Sequence, residues 1–318
     1  MSATTLPAPT HRQMSGYDWF LLAICAVCWG SAYTFNKISI TELQPFSITV
    51  SRLVIALTIL WGMIALARLP VPMAPALWAQ FFGYALLSNV VPFWLVLYGQ
   101  RETASGLAAV IGATSPIFTL VLMWALRKDP TLDWRKLLAI LTGVAGVAIV
   151  FAPAVTEGWG KGAEGKAALL LASLLYAFGA IYARRFVHLD VRLIAAMQMT
   201  AGLLITVPLT VLIERPWEQG WPSWPVVAAV VFTALFGTVV ASLTFFTIMR
   251  RQGPTNTMLV TLLVPVTPLI LGALWFGEAL SGREFAGACV IALSLVIVDG
   301  RVFRWLAGAG NGRDGERG

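Results

Sequence analysis

The sequence predicts an all-α membrane protein of ten transmembrane helices, arranged as two inverted five-helix repeats. Composition comes first: of 318 residues, 58% are hydrophobic and 12% charged, with a mean hydropathy of +0.79. That is too little charge to cover a soluble domain of this length. Second, the apolar residues come in blocks of about 18–25, the length that spans a bilayer core as a helix. They lack the polar/apolar alternation over about ten residues that marks a membrane β-barrel. Third, one stretch occurs twice. Residues 88–116 and 237–265 each read as an apolar span, a polar corner and a second apolar span running into proline. At an offset of 149, Val90, Val91, Arg101 and Pro116 meet Val239, Val240, Arg250 and Pro265.

Taken in order, hydropathy places the spans at 18–38, 46–67, 76–98, 104–126, 135–152, 166–184, 192–213, 224–247, 256–277 and 284–304. The first is too long for the core of a signal peptide and no convincing cleavage site follows, so it reads as a retained helix. Residues 1–16 form a polar tail with Arg12 and His11. The tail 306–318 is Gly-rich and charged, a composition that stays disordered. Of the 22 Lys and Arg, fifteen fall on the side of the N-terminus. The other side receives seven: Lys37, Arg52, Arg101, Lys161, Lys166, Arg215 and Arg283, most of them matched by nearby glutamates. The positive-inside rule therefore puts both termini in the cytoplasm.

The same placement removes nucleic acid from consideration. A net charge of +7 that is dispersed over short loops makes no basic groove. The cysteines, Cys25, Cys28 and Cys289, lie in apolar spans, and both histidines, His11 and His188, lie outside them. Four metal ligands cannot be assembled from that set, so no metal or cofactor is expected. Nor is there a phosphate-binding loop, a dinucleotide fingerprint or a nucleophile elbow, so the chain does not read as an enzyme.

The duplication extends over most of the length. Trp29–Tyr33 on span 1 meets Tyr176–Ala180 on span 6, and Arg135 before span 5 meets Arg283 before span 10. Two halves result, 17–152 and 164–305, joined by a polar linker at 153–163. Five spans per half is an odd number, so the halves point in opposite directions across the membrane. Inverted repeats of this kind are built around a binding site near midplane, where broken helices meet. Pro92, Pro116, Pro265 and Pro268 mark such breaks, each removing a backbone donor and freeing a carbonyl.

Ionisable residues inside spans are rare here, and each is a site hypothesis. Arg52 lies two turns into span 2, roughly 10 Å below the end of the helix at about 1.5 Å per residue, and suits a substrate carboxylate. Lys37 is nearer the same end and is placed to snorkel. No Asp or Glu lies mid-span, which favours a facilitator or a carrier running down a metabolite gradient over a proton pump. The polar and aromatic residues Trp29, Tyr33, Asn36, Asn89, Tyr98, Thr114, Tyr176, Asn256 and Thr261 complete the expected lining, suited to a small amphipathic solute. Asn256 is read as opening span 9. Gly143 and Gly146 on span 5, with Gly287 and Ala292 on span 10, offer close helix packing within the bundle or between the protomers of a homodimer.

Trp29-Gly30-Ser31 with Lys37 eight residues on, Pro45 followed by Arg52, Thr103-Ala104-Ser105, Pro116, Pro265-Val266, Gly277-Glu278 and Gly287 together resemble the EamA family of the drug/metabolite transporter superfamily, over about residues 17–305. The resemblance implies ten helices in two inverted repeats, a bacterial inner-membrane location and transport of small metabolites, with a path among spans 1, 3, 4, 6, 8 and 9. It implies an exporter of amino acids or related compounds, or alternatively an uptake carrier for a planar vitamin such as riboflavin. A non-transporting membrane interaction protein is a third reading, disfavoured by the mirrored halves. One departure stands out: where the second half has Gly277-Glu278, the first has Arg127-Lys128-Asp129-Pro130.

Overall fold

A computed structural model of the chain describes residues 14–126, 134–156, 162–218, 220–257 and 260–299, and these are helices and turns with no strand among them. Ten membrane helices follow in order. They are α1 (Gly16–Ser39), α2 (Pro45–Leu66), α3 (Pro75–Gly99), α4 (Ser105–Ala125) and α5 (Trp134–Thr156), then α6 (Ala163–Phe186), α7 (Val191–Glu214), α8 (Trp224–Gln252, its ladder running on to Thr257), α9 (Val260–Leu263 and Val266–Phe276) and α10 (Gly282–Asp299). Seven are long and apolar enough to cross a bilayer on their own composition. The apolar stretches of α5 and α9 are shorter, Leu137–Val150 and Val266–Phe276, and α10 carries Arg283, Glu284 and Asp299 at its ends.

Local chemistry fixes the helix ends. Ser15 and Asp18 form a reciprocal capping box on α1. Pro45 and Pro75 open α2 and α3 at positions where a missing N–H costs nothing. Asp190 accepts from the Arg192 amide at the start of α7. Gly277 closes α9 with φ +61°, a left-handed turn that a side chain would strain.

Pairing of the helices obeys a two-fold relation. Counterparts α2 and α7, α4 and α9, and α5 and α10 pack on each other. Most of the larger remaining contacts come in matched sets: α3 on α6 with α8 on α1, α4 on α6 with α9 on α1, and α3 on α7 with α8 on α2. Two independent folds would have no reason to produce this correspondence; a duplication does, and five helices in each half make it an inverted one. The small residues serve the α5–α10 pair within the chain. A Cβ on Gly146 would lie 2.7 Å from Ile291 Cγ1, and one on Gly287 2.6 Å from Val150 Cγ2. Ala292, by contrast, is exposed.

Large apolar side chains cover the outside, as lipid demands: Leu141, Val144, Leu204, Leu274 and Leu293 are all exposed, with Tyr17, Trp19, Trp134 and Trp221 near helix ends. Cys25 and Cys28 are buried packing residues, Cys25 Sγ donating to the Ala241 carbonyl at 3.5 Å, and the three cysteines are free.

One expected boundary is corrected. Span 9 does not begin at Asn256, because the α8 backbone ladder continues through Thr257. Hydropathy falls at Arg250, but a helix end in the aqueous layer needs no apolar side chains to continue. The Arg127–Pro130 corner and both tails lie outside the described residues.

Gly146→Leu forces α5 and α10 apart and is expected to destabilise the folded chain by about 1–3 kcal/mol. Thermal unfolding of the detergent-solubilised protein should show a lower midpoint, with Gly62→Leu, where nothing approaches the glycine, as the neutral control.

Candidate functional site: a cavity between the two halves

Irregular backbone surrounds the contact between the halves. In α3, residues Leu86–Val90 open into a π-helical turn just before Pro92, and in its counterpart α8, Thr233–Val240 do the same. In α4 the helix is interrupted at Ala113–Thr114, and in its counterpart α9 at Val264–Pro265. In α4 and α8 side chains repair the irregularity locally. Pro116 has no N–H for the Gly112 carbonyl, and Ser115 Oγ donates to that carbonyl instead at 2.8 Å. Thr114 and Thr119 donate to Ile111 O and Ser115 O. In α8, Thr238 Oγ1 donates to Thr233 O at 2.9 Å. The Gly112 carbonyl, expected from the sequence to be free for a ligand, is thus already occupied.

Between these segments lies a cavity of about 260 Å³, lined from α1, α2, α3 and α4 on one side and α6, α7, α8 and α9 on the other. Of the residues expected from the sequence, Trp29, Tyr33, Asn36, Arg52, Asn89, Tyr176 and Thr261 all line it. Thr114 is buried in the α4 break beside it. Tyr98 lies away from it, stacked on Trp94 with centroids 5.4 Å apart and donating to Glu164 Oε2 at 3.3 Å. Asn256 falls in the last turn of α8. Pro92, Pro265 and Pro268 flank the cavity without appearing on its wall. Lys37 does not snorkel: its ammonium donates to the Gln100 and Thr103 carbonyls at 2.6 and 3.1 Å, tying the end of α1 to the α3–α4 corner.

Among the described residues, Arg52 is the one charged side chain on the wall. It is 7% exposed. Its guanidinium lies over the Phe93 ring, 3.5 Å from the centroid, and Nη2 donates to Asn89 Oδ1 at 3.4 Å. Its Nε is buried with no protein partner, and so is Asn36 Oδ1. A buried cation with an open donor and no carboxylate beside it is an incomplete arrangement: taking such a charge out of water is costly unless an anion completes it.

The rest of the wall is aromatic and hydroxylic. Trp29 meets Phe245 at 5.0 Å between ring centroids, and Phe246 crosses Phe245 edge-on. The Tyr33 hydroxyl lies so close over Gly112 that a Cβ there would be 2.5 Å from it, so glycine at 112 makes room for the ring. Sequence reading missed Gln198, which reaches from α7 to donate to Ser88 Oγ at 2.8 Å, and the ring pair Phe245–Phe246. A lone Gln inside span 7 was the available signal for the first. For the rings there was none, since Phe is ordinary in lipid-facing positions.

The profile of the EamA-like transporter family matches residues 17–152 and 164–298. The chain is 29% identical over 279 residues to the uncharacterized inner membrane transporter YedA of Escherichia coli K12, covering 86% of this chain and 87% of that one. It is 24% identical to an uncharacterized transporter of Archaeoglobus fulgidus, over 88% of this chain and 98% of that protein. With protein PecM of Dickeya dadantii it shares 23% identity, over 88% and 91% respectively. A solved crystal structure superposes with a TM-score of 0.62 at 18% identity, over 89% of this chain and 96% of the other, a likeness of fold. With two matched repeats covering most of its length, this chain belongs to the EamA-like transporter family.

Proposed function

We propose that the protein is a bacterial inner-membrane secondary exporter of small amphipathic carboxylates, amino acids above all, working by alternating access at the cavity between its halves. Arg52 carries this reading. A lone, nearly buried guanidinium with an unfilled Nε suits a carboxylate, which it can grip through two parallel hydrogen bonds. Asn89 holds it in place, Phe93 supports its face, and Trp29, Phe245 and Tyr33 offer stacking surface to the apolar part of the solute. Mirrored halves with paired helix breaks are the architecture that lets one site face each side in turn. YedA's name as an inner membrane transporter agrees with the location, and export agrees with a metabolite made inside supplying its own gradient. Riboflavin fits less well, because a neutral ring system leaves Arg52 unpaired.

Uptake of labelled amino acids into inverted vesicles tests this. Arg52→Gln should raise the KM for a carboxylate substrate by roughly 10–100-fold, at about 1.4 kcal/mol per tenfold, while leaving insertion intact. Trp29→Ala should raise it by roughly 3–10-fold, in line with about 1 kcal/mol for an aromatic contact. Unchanged transport in Arg52→Gln, or equal transport of a substrate and its uncharged amide, would sink the assignment.

We propose that both termini are cytoplasmic, a reading supported by the excess of Lys and Arg in the loops on that side. A fluorescent protein fused after Gly318 should fluoresce, and an alkaline phosphatase fused at the same point should be inactive. The reverse pair would invert the topology.

A further inference from the structure

Call the end of the bundle where α1 begins the near end and the opposite one the far end, where α10 begins on a cap from its own sequence, Ser281 with Glu284, and where the other even-numbered helices, α2, α4, α6 and α8, also begin. At the far end each of these four helix N-termini is met by a glutamate from the other half of the chain. Glu214, ending α7, accepts from the Phe46 and Ser47 amides of α2, each at 2.7 Å, and from Ser47 Oγ at 2.8 Å. Glu42, in the α1–α2 turn, accepts from the Ser223 amide and hydroxyl, both at 2.6 Å, at the cap of α8. Glu278, just past α9, accepts from the Ser105 amide at 2.8 Å and its hydroxyl at 2.6 Å, at the first residue of α4. Glu102, in the α3–α4 corner, accepts from the Gly162 amide at 2.8 Å, at the cap of α6.

A helix N-terminus has orphan amides and a partial positive charge, so a carboxylate there makes a charge-assisted bond. Such caps ordinarily come from the helix's own sequence. At these four helices they are supplied across the boundary between halves, where a cap also fixes one half against the other. The carboxyl of Glu42 is held below its ordinary range, first by the Ser223 hydroxyl and then by its amide, so the contact favours the ionised form.

Burial along the cavity is uneven. Towards the far end, Asn36, Arg52, Asn89, Gln100 and Thr103 are buried, and Lys37 and Gln100 tie α1 to the α3–α4 corner. Towards the near end the hydroxyls Ser115, Thr119, Ser242 and Thr261 on the wall are half-buried, among the buried Tyr84, Gln198, Met199 and Phe246. There the halves are joined by Asp18, which accepts from Arg251 and Gln252.

We propose that Glu42, Glu102, Glu214 and Glu278 form the latch of the far gate. The structure is the conformation sealed on that side, and opening to it requires these carboxylates to leave helix termini of the opposite half. The inference does not depend on what is transported, so it stands or falls apart from the substrate assignment.

Cysteine accessibility tests it on the full-length chain. In a background with Cys25, Cys28 and Cys289 replaced, Val96→Cys reports the far half of the cavity and Thr119→Cys the near half. Each is labelled with an impermeant maleimide in right-side-out and inverted vesicles. Adding Glu214→Gln or Glu278→Gln, which keep shape and remove charge, should raise far-side labelling at Val96→Cys at least tenfold and lower near-side labelling at Thr119→Cys. Should either variant fail to insert, Glu42→Gln in the exposed turn gives the same reading. Unchanged rates overturn the latch, and so does a rise at both reporters, which would mean general loosening.

Discussion

Hydrocarbon offers no partner to a backbone amide or carbonyl, so a helix inside a bilayer can be broken only where protein surrounds the break. The architecture of this chain follows from that constraint. Among the described residues, its mid-span π-helical turns and interruptions lie in α3, α4, α8 and α9, a further π-helical turn at Thr210–Glu214 closing the end of α7, and the mid-span segments enclose the cavity between the halves. α5 and α10 pack on each other through glycines, and none of their described residues lines the wall. Irregularity and site therefore coincide for one physical reason. The broken segments need burial, and where two broken halves meet there is both burial and room for a solute.

The two halves solve the same problem with different residues. In α3 the π turn precedes Pro92, whereas its counterpart in α8 has Ala241 at the equivalent point and a longer π segment, with Thr238 bonding a carbonyl five residues back. In α4 the carbonyl released by Pro116 is taken by Ser115. In α9, Gly30 of α1 approaches so closely that a Cβ would come within 2.5 Å of the Val264 carbonyl. A duplicated fold has kept its geometry while its chemistry diverged.

That divergence explains what was legible in the sequence. Span count, inverted halves and most of the cavity wall could be read, because hydropathy blocks, loop charge and polar residues in apolar runs are local signals. Arg52 was conspicuous for the same reason. What could not be read was anything set by contacts between distant segments. Asn256 looked like the start of α9 because polarity marks an aqueous corner without telling which helix continues into it. Tyr98 and Trp29 both looked like site aromatics, and only packing separates Tyr98, stacked on Trp94 near the helix end, from Trp29 on the cavity wall. Lys37 was read as snorkelling because carbonyl partners at Gln100 and Thr103 lie more than sixty residues away.

Arg52 also sets what kind of discrimination the cavity can achieve. An apolar wall distinguishes one methylene from another only weakly, by about 1–3 kcal/mol. A buried charge is harsher, because a solute that lacks the matching group still displaces water and leaves the guanidinium without a partner. On the proposed function, Arg52, with Phe93 over one face, Asn89 at one nitrogen and Nε open, demands an anion while the rings around Trp29 accept many shapes. A transporter built as proposed would be strict about charge and tolerant about side chain.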